Sequence, residues 1–212
     1  MNHRPSSSSA LPAAPIVRHI EAVAIGASAG GVEAIGTLLA ALPVEFGAAV
    51  MTVLHVPASG INALPYIFSH RSDLPIKEAE DKETITPGCV YIAPPDYHLL
   101  IEPDKSLSLS SDPAVNFSRP SIDVLFESAA LTYRERLLGI ILTGANNDGA
   151  AGLKAIRDCG GLAWVQDPAD AMAGMMPSSA IARAGADLVA TLSELAQQLA
   201  GMASFQAVIR RS

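Results

Sequence analysis

The chain has 212 residues, half of them hydrophobic and 17% charged, with a net charge of −7, enough for one large domain with a sizeable core. That charge argues against a nucleic-acid partner, which needs clustered Lys and Arg, and the two isolated cysteines, Cys89 and Cys159, argue against a disulfide framework or a zinc site. No apolar stretch approaches the roughly 18–20 residues of a membrane span, and the opening MNHRPSSSSALPAAP lacks a secretory apolar core, so a cytoplasmic protein without membrane insertion is expected.

Residues 1–20 read as a flexible Ser/Pro/Ala tail. Residues 21–27 then form an apolar strand that runs into Gly26, Ala27, Ser28, Ala29, Gly30 and Gly31. Val32, Ile35, Leu38, Leu39 and Leu42 recur at helical spacing until Pro43 ends the helix. A second strand over 48–55 places His55 at its carboxyl end. A short helix over 61–70 turns Ile61, Leu64, Ile67 and Phe68 inward.

Within 85–111, CVYIA, HLLIEP and SLSLS read as short strands split by Pro-Pro-Asp and Pro-Asp-Lys turns, which suggests hairpins beside a main sheet. Pro120 opens a helix that buries Ile122, Leu125, Phe126 and Ala129 and surfaces near Tyr133. The strand LLGIILTG, 137–144, is apolar on both faces and therefore central. Asn146, Asn147, Asp148 and Gly149 follow it in a loop, then a helix carrying Leu153 and Ile156 runs to Gly160-Gly161. A strand over 162–167, a helix over 176–186, the strand LVAT and a helix over 193–202 complete an alternating pattern. The expected fold is α/β: one three-layer domain with a mainly parallel, doubly wound sheet and an antiparallel hairpin.

In open α/β sheets ligand sites lie beyond the carboxyl ends of the strands. Ser28, His55 and Asp148 all fall there. The spelling Gly26-x-Ser28-x-Gly30 matches a nucleophile elbow, where small neighbours let the backbone bend and leave the hydroxyl exposed. A neutral serine needs a base to take its proton, which His55 supplies, and the imidazole needs a carboxylate to hold its tautomer, which Asp148 supplies. Backbone N–H groups near Ala29 or Ala145 are the candidate oxyanion donors. The order Ser, His, Asp differs from that of the α/β-hydrolases, whose acid precedes the histidine. Competing readings stand beside these: His70 and His98 are alternative bases, and Asp148 is a good helix cap.

These residues sit in segments that together resemble the catalytic domain of the chemotaxis protein-glutamate methylesterases, the CheB family. The segments are AIGASAGG (24–31), LHVP (54–57), ITPGCVYIAPPDYHLLI (85–101), RPSIDVLFESAA (119–130), ILTGANNDGAAGL (141–153) and VQDPADA (165–171). The resemblance places the family's triad on Ser28, His55 and Asp148 and assigns 21–203 to the catalytic domain, with a tail over 204–212. It implies hydrolysis of glutamate methyl esters on the cytoplasmic helical bundle of methyl-accepting chemoreceptors, with release of methanol and no metal or organic cofactor. Deamidation of receptor glutamines is open to the same machinery, and a separate receiver-domain protein or a methyltransferase are further candidate partners. Arg119 in the RPSID segment is a candidate for contacting the receptor or shaping the cleft; the alternative is a salt bridge to Asp123, four residues on.

The sequence departs from the family pattern in places. Only about twenty residues precede the first strand, so control by an attached receiver domain is not expected within this chain. Ala29 replaces a frequent threonine, Ala145-Asn146 replaces Met-Gly, and Lys82 stands where an Asp-Gly turn is usual. The rival readings are a non-catalytic module of the same fold that binds a receptor or signalling partner, and a dinucleotide-binding protein. Against the second, Gly26, Gly30 and Gly31 do not spell Gly-x-Gly-x-x-Gly, and His55 rather than an acid closes the second strand.

Overall fold

The structure, a computed structural model, describes residues 19–55 and 63–209, with side chains as far as residue 202. Most of the expected N-terminal tail, the Ile61 end of the short helix and residues 210–212 lie outside the described residues. The described residues form nine strands and six α-helices, which alternate except where four strands follow one another between the second and third helices. Seven strands form one parallel sheet in the order β3 (Ile76–Glu78), β4 (Val90–Ile92), β2 (Ala49–Leu54), β1 (Ala22–Ala27), β7 (Leu137–Ile141), β8 (Leu162–Gln166), β9 (Leu188–Ala190). β5 (His98–Ile101) and β6 (Leu107–Ser110) pair antiparallel as a separate hairpin, His98 opposite Ser110 and Ile101 opposite Leu107.

Every residue of β1, β2 and β7 is buried, because helices cover both faces of the sheet. On one face α1 (Gly31–Ala40), α2 (Leu64–Ser69) and α6 (Leu192–Ile209) pack over Val23, Ile25, Val50, Leu138 and Ile140. On the other, α3 (Ile122–Tyr133), α4 (Ala150–Asp158), α5 (Met175–Ala184) and the hairpin cover Ala22, Ala24, Met51, Val53 and Ile141. Ile35, Leu38 and Leu39 of α1 are fully buried, each contributing about 1.5–3 kcal/mol relative to exposure.

The small residues of β1 have separate jobs. A side chain at Gly26 would run into Ile122, so its absence lets α3 lie close on the sheet. Gly30 ends the turn before α1 with φ 79°, a left-handed conformation, and a side chain there would also meet Met172. Gly30→Val is expected to cost at least about 1–2 kcal/mol from the backbone alone, read as a lower urea midpoint.

Four local expectations change. Residues 89–93 do not join a hairpin: Val90–Ile92 inserts as a parallel strand between β2 and β3, its three residues all buried. β3 had no reading in the sequence, since Ile-Lys-Glu is short and half-exposed at the sheet edge. The helix after Pro120 starts at Ile122, with Ser121 extended before it, and its last residue, Tyr133, is buried beneath Lys105 rather than at the surface. α6 continues to Ile209, past the expected end at 202 and through much of the expected tail.

From β1 the chain winds outward to β2 on one side, and from β7 it winds outward to β8 on the other. The crevice where the winding reverses therefore opens between the carboxyl ends of β1 and β7, the favoured place for a site in such sheets.

Candidate active site

The turn that carries Ser28 is tied down on both sides of the crevice. Ser28 N–H donates to Thr143 O beyond β7 at 2.9 Å, and Gly31 N–H closes the turn onto Ser28 O at 2.8 Å. Thr143 Oγ1 donates to Ala29 O at 2.8 Å and accepts from Ala173 N–H at 2.9 Å, while Thr143 N–H is held by the buried Gln166 side chain at 3.0 Å. One buried hydroxyl thus joins the serine turn to the segment before α5. Thr143→Val removes a donor and an acceptor at once and is expected to cost about 1–3 kcal/mol, with a fall in turnover as the Ser28 turn loosens; calorimetry and initial rates check both.

His55 follows β2 and stays pinned to the sheet through its N–H to Ala27 O, 3.1 Å. Its Nε2 lies 2.9 Å from Asp148 Oδ2. The carboxylate is fully buried and accepts from five donors: His55 Nε2 and Ile122 N–H (2.7 Å) on Oδ2, and Ser121 Oγ–H (2.8 Å), Asn116 Nδ2 (2.9 Å) and Asp123 N–H (3.2 Å) on Oδ1. Burial alone would raise its pKa, but the hydrogen bonds from His55, Asn116, Ile122 and Ser121 outweigh it and hold the carboxyl below its ordinary value. It also sits at the positive end of α3, where a negative charge is favoured.

An ionised Asp148 can only accept, so Nε2 carries the imidazole proton and Nδ1 holds the lone pair. Ser118 Oγ and Asn146 Nδ2 both face that Nδ1 at 3.4 Å. Asn146 Oδ1 accepts from Asp148 N–H at 3.2 Å, so its amide group is turned with Nδ2 toward the ring, which agrees with this tautomer.

The structure therefore brings His55 and Asp148 into contact and sets Ser28 at the neighbouring strand end, half-buried; a Ser28–His55 hydrogen bond is not among its contacts. Ala29 and Ala145 are exposed on the two facing loops, and neither N–H has a partner among the described residues. Asp148 is a cap as well as the imidazole's partner, and it caps α3, not the helix that follows it.

The competing histidines have other work. His98 is buried, accepts Ser121 N–H at Nδ1 (3.1 Å) and reaches Pro113 O through Nε2 (3.2 Å), which fixes the start of α3. His70 is exposed and bonds Tyr66 O.

The salt bridge from Arg119 to Asp123 does not form. Arg119 precedes the helix and turns away to Ser111 O (2.9 Å) and Asp112 O (3.2 Å), with Asp96 at 3.7 Å. Asp123 is held instead by Gly152 N–H (2.7 Å) and Asn116 Nδ2 (2.8 Å). Burial pushes its carboxyl up, and the nearby charge of Asp148 adds to that. Arg119 lines a cleft of about 480 Å³ together with His55, Asp96, Phe117 and Ser118. Asn116, Ser118, Ser121, Thr143 and Asn146 escaped the sequence reading, because their roles depend on loops that meet only in three dimensions.

A doubly wound domain that gathers a hydroxyl-bearing glycine turn, an imidazole and a buried carboxylate at its switch point has the parts of a serine hydrolase. Residues 23–199 match the CheB methylesterase family. A Leptospira interrogans protein, provisionally named protein-glutamate methylesterase/protein-glutamine glutaminase, is 51% identical over 177 residues, covering 84% of this chain and 92% of its own. The Escherichia coli protein-glutamate methylesterase/protein-glutamine glutaminase is 37% identical over 212 residues, covering 98% of this chain but 60% of its own length. The crystal structure of the Thermotoga maritima CheB methylesterase catalytic domain superposes with a TM-score of 0.82 at 32% identity, over 86% of this chain and 98% of that one. The chain belongs to the CheB methylesterase family. Among the described residues, no helix is long and apolar enough to cross a membrane.

Proposed function

We propose that this chain is a protein-glutamate methylesterase in which Ser28 is the nucleophile, His55 the general base and acid, and Asp148 the group that orients and charges the imidazole. The observation that carries the reading is the His55–Asp148 pair of 2.9 Å at the crevice shared with the Ser28 turn, in a chain of this family. His55 Nδ1 takes the hydroxyl proton as Ser28 Oγ attacks the ester carbonyl, and the oxyanion settles on backbone N–H groups of Ala29 and Ala145. The proton then passes to the methoxy oxygen, methanol leaves, and a water activated by the same imidazole hydrolyses the acyl-enzyme to glutamate. A glutamine side chain enters the same sequence with ammonia as the leaving group, which is how the glutaminase activity in the relatives' names arises here.

The substrate is the methylated helical bundle of a chemoreceptor on its cytoplasmic side, where the enzyme works. Arg119, on the cleft wall, meets that partner. Incubation with a receptor carrying radiolabelled methyl groups tests the reading: volatile label released by the wild type supports it, and label that stays on the receptor defeats it.

A further inference from the structure

We infer that Phe117 is a specificity-determining contact of this enzyme, an aromatic anchor that packs on the substrate helix beside the methylated glutamate. This rests on the methylesterase reading. Val115 and Ser118 exchange both backbone hydrogen bonds, N–H to O at 3.1 and 2.9 Å, so Asn116 and Phe117 are the two central residues of a tight turn. Their φ values are 50° and 63°, both left-handed, which defines a type I′ turn. Asparagine suits its first position and glycine its second. Phenylalanine at the second position is opposed by its own Cβ, and here no packing compensates, since the ring is fully exposed at 105% of its reference area.

The turn is nonetheless held firmly. Asn116 Nδ2 bridges the carboxylates of Asp123 and Asp148, and Arg119 ties the far side of the loop to Ser111 O and Asp112 O. The next residue, Ser118, reaches His55 Nδ1 at 3.4 Å. The backbone that carries this unfavourable aromatic residue is thus fixed relative to the proposed base, and Phe117 lines the cleft that contains His55. That cleft, at about 480 Å³, takes a side chain but not a helix. A helix presenting its ester there must lie along the rim, where residues three and four positions from the glutamate are about 5–6 Å away. The occupant that fits Phe117 is the small or apolar residue one turn from the ester, a flat surface for the ring.

The test compares a helical peptide bearing one glutamate γ-methyl ester with N-acetylglutamate γ-methyl ester, by methanol release. In Phe117→Gly the ratio of kcat/KM for peptide over small ester is expected to fall about tenfold or more, mainly through KM. The same substitution completes an Asn-Gly turn, so Tm is expected to rise by about 2–4 °C. Phe117→Trp keeps the ratio close to wild type. A ratio unchanged in Phe117→Gly, or equal losses on both esters with a lower Tm, overturns the inference and makes the ring structural. If the wild type cleaves neither ester, the methylesterase reading fails and the inference with it.

Discussion

Ser28→Ala is expected to abolish methanol release, by on the order of 10⁶-fold if this triad behaves as the one in subtilisin does. The size follows from what is lost. Without the hydroxyl no acyl-enzyme forms, and His55 and Asp148 have no proton to move; only the oxyanion donors and binding energy persist. The folded structure should hardly notice, because Ser28 takes part through its backbone, by N–H to Thr143 O and O to Gly31 N–H, and alanine keeps both. An unchanged melting curve with turnover at background is the expected pair of results. Near-wild-type turnover in this variant would sink the mechanism and favour a non-catalytic module. Labelling of the wild type, but not of Ser28→Ala, by a fluorophosphonate would identify the nucleophile directly.

Asp148→Asn should damage activity and fold together. Turnover is expected to drop about 10⁴-fold, the loss seen when the aspartate of a serine-protease triad becomes an amide and the imidazole takes the wrong tautomer. Asp148 also does more than face the imidazole. Its two oxygens accept from both the α3 N-terminus and the side chains of Asn116, Ser121 and His55, and an amide would point its own donors at some of them. Leaving buried donors of such a set unsatisfied costs about 1–3 kcal/mol. The pH dependence has a definite sign. The folded carboxyl is held below its ordinary value, and the unfolded chain returns to about 3.9. Between those two values the unfolded state binds more protons, so stability rises with pH there. The contribution is complete above the unfolded value and is lost as pH falls through the folded one. Urea midpoints measured from pH 2 to 6 should therefore fall less steeply toward acid in Asp148→Asn than in wild type. Parallel slopes would show that Asp148 does not carry this acid sensitivity.

The strand ends that position Ser28, His55 and Asp148 could be read from the sequence because apolar runs stopped by glycine, proline or asparagine mark where a strand leaves the sheet. The all-buried strands β1, β2 and β7 gave that signal most clearly. Short strands did not. Val90–Ile92 is equally apolar whether it pairs in a hairpin or between two parallel neighbours, and only the register with Val50 and Ile76 distinguishes the two. The turn at Asn116-Phe117 was invisible for a different reason: a left-handed φ at a residue other than glycine has no spelling of its own. Arg119 misled through spacing. Asp123 lies four positions on, but the helix starts at Ile122, so the two never share a helical face.

The way Asp148 closes the first turn of α3 decides how this site can move. His55 follows β2 in one half of the winding and Asp148 follows β7 in the other, while Asp148 also holds the first turn of the crossover helix α3, so the halves cannot part without unfastening the imidazole from a carboxylate anchored in the core. His55 is therefore not mounted on a lid that opens locally; it belongs to the same cooperative unit as the core. Amide exchange at Ile122 and Asp123 would report, in a chain with no substrate present, the fraction of molecules whose His55–Asp148 pair is assembled.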